Sequence, residues 1–239
     1  MTRLMLAVAL TLTHVNFQPP TSNRQRPAWE LGVGSWELQQ SSSSSQRRGR
    51  LFPPTDLGLL EVPDRAAWQK PEQIMDALKI ADGAKVADIG AGGGFFTIRL
   101  AQRVGPNGKV YAQDIQQPML EAIKRRVTRE GLQNVEPRLG KSETDPNLPT
   151  GALDAVLVVD TYQEVNEDDR VPFLKGLALT LKPNGRIGIV NYKPGRGGPG
   201  PEPQRRVEST VAEAEAQAAG LRVVDRANLP FQYLLVLGR

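Results

Sequence analysis

Apolar residues are distributed along the chain from about residue 51 in two recurring patterns. Short, nearly continuous apolar runs are typical of strands buried on both faces of a parallel sheet, and apolar residues spaced three or four apart are typical of helices. The predicted strands are KVADIG, KVYAQDI, VEPRLG, LDAVLVVD, GRIGIVNY, LRVVDRA and FQYLLVLG. The predicted helices are PEQIMDALKI, Phe95 to Val104, PMLEAIKRRVTREG, DRVPFLKGLALTL and VESTVAEAEAQAAG.

The order of these elements defines a fold class. Strands that alternate with helices indicate a parallel sheet with helices on both faces. FQYLLVLG follows LRVVDRANLP with no room for a helix, so it must pair antiparallel. Pro137 lies within VEPRLG and favours an edge strand or a strand end. The sequence therefore predicts an α/β fold with a doubly wound, mostly parallel seven-stranded sheet and one antiparallel strand near the C-terminus.

The first fifty residues differ from the rest. Leu4–Leu12 is an apolar run behind Arg3 that resembles the core of a secretory signal, but it is too short to span a membrane and no small-residue cleavage site follows. Residues 13–50 contain a serine run and scattered arginines, which bury little apolar surface, and this predicts that the segment is mostly disordered. A neutral tail or a misplaced start codon explains the segment at least as well as a working signal. We expect a disordered tail over residues 1–50 and one domain over residues 51–239.

Composition excludes several kinds of chemistry. The chain has no cysteine, so thiolate metal sites and cysteine nucleophiles are excluded. Its one histidine, His14, lies in the predicted tail, so a histidine triad or a multi-histidine metal site is not expected. The net charge of +4 is mild, and the small basic clusters are interpreted as solvated surface, so no nucleic-acid partner is expected.

The most informative stretch is VADIGAGGGFF, from Val86 to Phe96. A glycine turn between a strand and a helix brings free backbone N–H groups close to a ligand. The dinucleotide pattern G-x-G-x-x-G would place Phe95 at the third glycine, and the chain has no Gly-Lys-Ser/Thr of a P-loop. Asp88 precedes the turn and would repel a pyrophosphate, which favours a ligand with a cationic end. Asp114 ends the next strand and can accept hydrogen bonds from ribose hydroxyls.

VADIGAGGGFFTIRLA resembles the first motif of class I S-adenosylmethionine-dependent methyltransferases, whose acid-x-Gly-x-Gly-x-Gly pattern is matched by Asp88, Gly90, Gly92 and Gly94. LDAVLVVD is similar to the fourth-strand motif of that family, and LKPNGRIGIVNY to its fifth-strand motif with the preceding turn. The resemblance covers about residues 65–239. It implies a Rossmann-like methyltransferase fold with S-adenosylmethionine as cofactor.

The resemblance also implies roles for single residues. Asp88 and the backbone of the glycine turn are expected to hold the methionine part, Asp114 the ribose and Ile115 the adenine, while Asp160 closes the floor near the sulfonium. The family commonly has Gly-Asp after the third strand, but this chain has Gly140-Lys141, which shifts the expected adenine contact to Ser142 or Glu143. The complete expected cofactor-binding set is Asp88, Gly90, Ala91, Gly92, Gly94, Asp114, Ile115, Ser142, Glu143 and Asp160.

The acceptor side is less defined by the sequence. DTYQEV, from Asp160 to Val165, lacks the prolines found in family members that methylate base amino groups or glutamine amides. Asp160, Tyr162 and Glu164 are the candidate catalytic residues, although Glu164 could equally cap a turn. Gln163 occupies a place where related enzymes often have a basic histidine. The Gly/Pro-rich loop Tyr192–Arg206 is interpreted as a lid or substrate wall, with a plain connector as the alternative.

Two classes of function follow. The first is a small-molecule methyltransferase, and the second is a non-catalytic S-adenosylmethionine-binding or scaffold protein of the same fold. An NAD oxidoreductase is a distant third. We expect a small-molecule methyl acceptor as partner, no metal, and no stable membrane insertion. Because the cofactor is made in the cytoplasm, we expect a cytoplasmic protein.

Overall fold

The fold is seen in a computed structural model that describes residues 52–54, 57–58, 63–195 and 197–239. The predicted tail over residues 1–50, with Leu4–Leu12 and His14, lies outside the described residues. The predictions made for that segment are therefore not tested here.

The described residues form one seven-stranded sheet with the strand order β3-β2-β1-β4-β5-β7-β6. All neighbouring pairs from β3 to β5 are parallel, and β7 is antiparallel to both β5 and β6. The predicted doubly wound sheet with one antiparallel strand is confirmed. The strands are β1 Lys85–Ile89, β2 Lys109–Asp114, β3 Val135–Leu139, β4 Leu153–Val159, β5 Leu181–Tyr192, β6 Arg222–Asn228 and β7 Gln232–Gly238.

Helices separate consecutive parallel strands, as the pattern predicts, except between β3 and β4, where the connecting segment contains no helix. The helix predicted for Phe95 to Val104 has those bounds in the structure, and the others agree within a few residues. The short helix α1 has no sequence signal, because five residues are too few to show a periodicity. The helices are α1 Arg65–Gln69, α2 Pro71–Ala77, α3 Phe95–Val104, α4 Gln117–Arg129, α5 Glu167–Thr180 and α6 Ser209–Ala218.

Apolar side chains cover both faces of the sheet. On one face, Phe173 and Leu177 of α5 and Ala212 of α6 pack in a buried cluster with strand residues. On the other face, Ile74 of α2 and Leu100 of α3 pack in a second cluster. The central strands are buried on both sides, which explains why they read as continuous apolar runs.

Two details of the sheet follow from particular residues. Pro137 lies in β3, an edge strand, where its missing N–H group leaves no interior partner unpaired. The strand β5 begins at Leu181, earlier than the predicted GRIGIVNY, because Leu181 already pairs with Leu153. Leu153 and Ala155 of β4 are close in sequence, but their pairing partners on β5, Leu181 and Arg186, are further apart. The extra residues of β5 between these partners correspond to the predicted turn and interrupt the regular pairing of the strand.

No helix in the described part of the chain has the length and apolar character needed to cross a membrane.

Candidate active site

A cavity of about 770 Å³ lies at the edge of the sheet where the parallel strands end. Its lining includes the glycine turn after β1, Asp114 at the end of β2, Asp160 after β4 and Tyr192 at the end of β5. Open α/β sheets bind ligands at this edge, where the direction of the chain crossings changes. The cavity is the candidate functional site.

The glycine turn has the conformation that the sequence predicts. Gly90, Gly92 and Gly94 have φ angles of +66°, +52° and +82°, a region that favours glycine. A Cβ atom at Gly90 would also overlap the side chain of Thr161. The turn is tied to β2, because the backbone N–H of Ala91 donates to the Gln113 carbonyl at 2.9 Å. Gly90, Ala91 and Gly92 line the cavity, whereas Gly94 precedes α3.

Asp88 lies deeper than expected. The sequence suggests a carboxylate at the mouth of the turn, but Asp88 is only 3% exposed and accepts a 2.6 Å hydrogen bond from the Thr97 hydroxyl. It still contributes to the cavity lining. Burial raises its pKa to about 6, with the Thr97 hydrogen bond and the charge of Arg65 opposing the shift. A cationic ligand in the cavity would stabilise its ionised form.

Asp114 combines two roles in the structure. One carboxylate oxygen accepts the backbone N–H of Gly92 at 3.0 Å, and the other accepts the backbone N–H of Gln116 at 2.9 Å. Burial raises the pKa of Asp114, and these backbone hydrogen bonds oppose the shift. Asp114 therefore shapes the glycine turn besides lining the cavity. Ile115 lines the same end and is 37% exposed, which leaves an apolar surface for a ring.

The structure separates the two candidates for the adenine contact. Glu143 lines the cavity and accepts a 2.9 Å hydrogen bond from the Asn166 side chain. Ser142 is not among the lining residues, and its hydroxyl accepts the backbone N–H of Asp145 at 3.0 Å within an exposed turn. The geometry therefore places Glu143, and not Ser142, at the cavity.

Asp160 is the centre of a polar network on the cavity wall. Its φ of +57° is unusual for a residue other than glycine. The carboxylate accepts hydrogen bonds from the side-chain amides of Gln69 and Gln232, and the Tyr192 hydroxyl lies 3.5 Å away. Burial raises the pKa of Asp160 to about 6, and the nearby charge of Arg65 is the largest opposing influence. The predicted position of Asp160 at the cavity is observed.

Tyr162 does not lie at the cavity, so its prediction as a catalytic residue is wrong. The short 3-10 helix Tyr162–Glu164 turns its side chain into the core, where it is fully buried near Phe173. Its hydroxyl donates to Glu215 of α6 at 2.6 Å. Burial raises the pKa of the phenol further, so it stays protonated. Tyr162 is a core residue with a satisfied polar end.

Gln163 and Glu164 do line the cavity, as predicted. Glu164 forms an ion pair with Arg205, which belongs to the loop after β5. Burial raises the pKa of Glu164, and the charge of Arg205 opposes the shift. The side-chain oxygen of Gln163 is buried without a partner in the described structure, so it can accept a hydrogen bond from a bound molecule.

The Gly/Pro loop after β5 forms part of the cavity wall. Pro199, Gly200 and Pro201 belong to the lining, which agrees with the prediction of a substrate wall. Arg206 holds the loop in place, because its guanidinium donates to several loop carbonyls, among them those of Lys193 at 3.1 Å and Pro201 at 3.0 Å. The described residues of the loop therefore contribute to the cavity wall and are tied to Arg206.

Several lining residues carry no signal in the sequence. Arg65 and Trp68 come from the short helix α1, and Phe52 and Pro53 come from the segment before it. These positions lie outside every recognisable motif and reach the cavity only through the tertiary fold. Trp68 lies near Tyr192 and Phe231, with ring centroids 6.3 Å and 6.0 Å apart. The resulting aromatic wall could not be read from spacing.

The charges of the lining favour a cationic ligand. The charged side chains of the described lining are two guanidinium groups and five carboxyl groups, namely Arg65, Arg205, Asp88, Asp114, Glu143, Asp160 and Glu164. No group of histidine and acidic residues suited to a metal ion occurs among the described residues. A glycine cradle beside excess carboxylates fits a ligand with ammonium and sulfonium groups and lacking phosphate.

Comparison with known proteins agrees with this geometry. Residues 86–185 match a family model described as a methyltransferase domain. The solved structure of a SAM-dependent methyltransferase from Aquifex aeolicus aligns with a TM-score of 0.74 at 28% identity, covering 78% of this chain and 98% of that one. The chain therefore contains a methyltransferase domain similar to those of the class I S-adenosylmethionine-dependent methyltransferases. S-adenosylmethionine is the cofactor of this class, and the cradle and acids described above fit it.

Relatives within this methyltransferase class have diverse substrates. A nocamycin O-methyltransferase from Saccharothrix syringae is 32% identical over 134 residues, which are 56% of this chain and 44% of that protein. A demethylmenaquinone methyltransferase from Geobacillus stearothermophilus is 32% identical over 118 residues, covering 49% and 48% of the two chains. The chain thus matches about half the length of these curated relatives.

Proposed function

We propose that this protein transfers the methyl group of S-adenosylmethionine to a small, largely apolar molecule. The observation that carries the proposal is a single cavity with two different ends. One end has the glycine turn and the acids Asp88 and Asp114, and the other has Trp68, Tyr192 and the Gly/Pro loop. The names of the relatives, a nocamycin O-methyltransferase and a demethylmenaquinone methyltransferase, support a small acceptor.

Each residue that lines the cofactor end has a proposed role in binding. The Asp114 carboxylate, fixed by two backbone N–H groups, accepts the ribose hydroxyls. Ile115 and Phe52 provide apolar surface for the adenine ring, and the Glu143 carboxylate accepts a hydrogen bond from the adenine amino group. Asp88 lies beneath the glycine turn and favours the cationic methionine end.

The reaction needs alignment more than a special catalytic group. When bound, S-adenosylmethionine supplies a methyl group on a positively charged sulfur, ready for displacement in line. The aromatic wall and the loop held by Arg206 exclude water and restrict the approach of the acceptor. Holding two reactants in a productive geometry can lower the barrier by about 7–11 kcal/mol. Gln69 and Tyr192 hold the Asp160 carboxylate in a fixed position on the cavity wall, near the place expected for the sulfonium.

The acceptor end offers no strong base. Gln163 cannot take a proton at neutral pH, and Glu164 would have to break its ion pair with Arg205 to do so. In this arrangement Glu164 and Gln163 orient the acceptor. The geometry therefore suits an acceptor whose attacking atom is already nucleophilic near neutral pH.

Calorimetric titration of the full chain tests the cofactor role. S-adenosylmethionine and S-adenosylhomocysteine should bind in the micromolar range, and NADH should not bind. Asp114→Ala should weaken binding by about 1.5–3 kcal/mol, because charge-assisted hydrogen bonds are lost. Asp145→Ala is the matched control, because Asp145 lies in an exposed turn outside the cavity lining. An unchanged affinity in Asp114→Ala would remove the ribose role.

Transfer of labelled methyl groups to a cell extract tests the reaction. Label should enter the low-molecular-weight fraction, extractable into an organic solvent. Label recovered only in protein or nucleic acid would refute the small-molecule proposal. Tight cofactor binding without any transfer would support the non-catalytic alternative instead.

A further inference from the structure

Arg65 has an unusual position for an arginine. It is the first residue of α1, yet its side chain is only 11% exposed and lines the cavity. Its Nε donates to the Gln69 side chain at 2.6 Å, and its guanidinium lies 3.7 Å from the Asp160 carboxylate. The guanidinium carbon also lies 4.2 Å from the ring centroid of Phe95. The group is therefore held in a fixed orientation at the cavity wall.

Contact with Phe95 places the Arg65 guanidinium close to the glycine turn at the cofactor end of the cavity. Phe95 is the first residue of α3, directly after the glycine turn. The charge of Arg65 also acts on both Asp88 beneath the turn and Asp160 after β4. A cation thus lies beside Asp160 and acts electrostatically on Asp88, where the methionine end of the cofactor is expected. Burying a guanidinium is costly unless it has partners, and a further anion there would be favoured.

The chemistry of the cofactor favours such a cation. Its amino-acid end carries an ammonium next to a carboxylate. The excess carboxyl groups of the cavity favour the ammonium but repel the carboxylate. Of the two guanidinium groups in the lining, that of Arg205 pairs with Glu164 in the loop-covered part of the cavity. Arg65 contacts the residue that follows the glycine turn.

We infer that Arg65 binds the α-carboxylate of the cofactor's methionine part, while Asp160 and Gln69 hold its guanidinium in place. This inference rests on the proposed function, because it takes S-adenosylmethionine as the ligand of the cavity. The planar guanidinium fork matches a carboxylate with two parallel hydrogen bonds. Asp160 thereby acts on the cofactor partly through Arg65.

Two ligands that differ only at the amino-acid end test the inference. S-adenosylhomocysteine carries the carboxylate, whereas 5′-methylthioadenosine lacks the whole amino-acid end. In calorimetric titrations, Arg65→Met should lower the affinity for S-adenosylhomocysteine by about ten- to a hundredfold. The affinity for 5′-methylthioadenosine should stay within about twofold of the wild-type value. Arg65→Lys, which keeps the charge but loses the fork, should give an intermediate loss.

Arg99 provides a matched control for Arg65. Its guanidinium carbon lies 3.8 Å from the centroid of the same Phe95 ring, but Arg99 is not among the residues that line the cavity. Arg99→Met should leave the affinity for both ligands unchanged. Thermal melting of each variant shows whether the fold is retained.

Three results would contradict parts of the argument in different ways. An unchanged affinity for S-adenosylhomocysteine in Arg65→Met would overturn the inference. Equal losses for both ligands would overturn it too, because Arg65 would then support the cavity as a whole. If the wild-type protein bound neither ligand, the proposed function itself would fail.

Discussion

At the scale of single residues, Asp88 shows a conflict between stability and ligand binding. Burial raises its pKa from the usual 3.8 to about 6. The folded state therefore holds this proton more tightly than the unfolded state does. The stabilising contribution is complete below about pH 3.8 and is lost as the pH rises through about 6. At neutral pH the ionised carboxylate lowers the free energy of unfolding of the ligand-free protein.

Asp88→Asn should therefore stabilise the ligand-free protein at pH 7. The expected gain is about 1–3 kcal/mol in the free energy of unfolding, and it should disappear near pH 4. The same variant should bind S-adenosylmethionine more weakly, because the amide lacks the charge that favours a cationic ligand. Urea denaturation at both pH values and calorimetry measure the two effects.

Asp154→Asn is a control, because folding lowers the pKa of Asp154 whereas it raises that of Asp88. Asp154 pairs with Lys182, and this pair and the Lys85 backbone hydrogen bond lower its pKa against the effect of burial. Its contribution to stability is present at neutral pH and lost as the pH falls, so Asp154→Asn should not stabilise at pH 7. A loss of stability in Asp88→Asn at pH 7 would contradict the argument.

Ser142 and Glu143 are neighbours in sequence with different expected effects. Glu143 lines the cavity, whereas Ser142 binds the Asp145 backbone in an exposed turn. Glu143→Gln should weaken S-adenosylhomocysteine binding by about 1 kcal/mol or more, and Ser142→Ala should leave it unchanged. Calorimetric titrations of both variants with S-adenosylhomocysteine and with adenosine measure these affinities. A larger effect in Ser142→Ala would move the adenine contact back to Ser142.

At the scale of elements, the glycine turn depends on one close contact. Gly90 and Gly131 have nearly equal φ angles of +66° and +67°. A Cβ atom at Gly131 would meet open space, whereas one at Gly90 would lie 2.6 Å from Cγ2 of Thr161. The Thr161 hydroxyl is itself held between the carbonyls of Val159 at 3.0 Å and Ile89 at 3.2 Å, and its one hydrogen can be donated to either of them. The side chain therefore has little freedom to withdraw.

Gly131→Ala and Gly90→Ala form a matched pair for this contact. Gly131→Ala should cost about 1–2 kcal/mol from backbone strain alone. Gly90→Ala should cost about 1–3 kcal/mol more, because the overlap with Thr161 is added. Urea denaturation of both variants measures the difference. Equal losses would mean that the contact with Thr161 does not constrain the turn.

The elements also show which parts of the protein could be predicted from sequence. The strands and helices follow from local periodicity, so α3 and the antiparallel β7 were predicted with nearly correct bounds. The glycine turn and Asp114 could be predicted because each lies within a few residues of a recognisable strand end. Tyr162 was predicted wrongly, because the direction of a side chain after a strand depends on the following turn and on its partner Glu215.

At the scale of the whole molecule, the cavity combines distant segments. Arg65 and Trp68 precede the first strand, Asp160 follows the fourth, and Arg205 lies beyond the fifth. The polar contacts of Asp160 reach far along the chain, and its hydrogen bond with Gln69 joins residues 91 positions apart. No local pattern encodes such contacts, which explains why the sequence carries no signal for Arg65 and Trp68 as lining residues. The parallel sheet brings these segments together, since its strand ends share one edge.

The segment before α1 also contributes to the cavity. Phe52 and Pro53 belong to the lining, and the Gln116 side chain donates to the Phe52 carbonyl at 3.1 Å. Gln116 follows Asp114 and Ile115, so Phe52 lies at the end of the cavity that is proposed to hold the adenine. Residues 1–50 have a composition that favours disorder.

Two shortened chains separate these contributions. A chain beginning at Leu51 should keep the melting temperature of the full chain and the same shift on binding S-adenosylhomocysteine. A chain beginning at Pro63 should keep the fold but bind about two- to tenfold more weakly, because the aromatic contact of Phe52 is lost. Phe52→Ala in the full chain should reproduce that loss if the aromatic ring is responsible. A weaker affinity already in the chain beginning at Leu51 would assign the missing contribution to residues 1–50 instead.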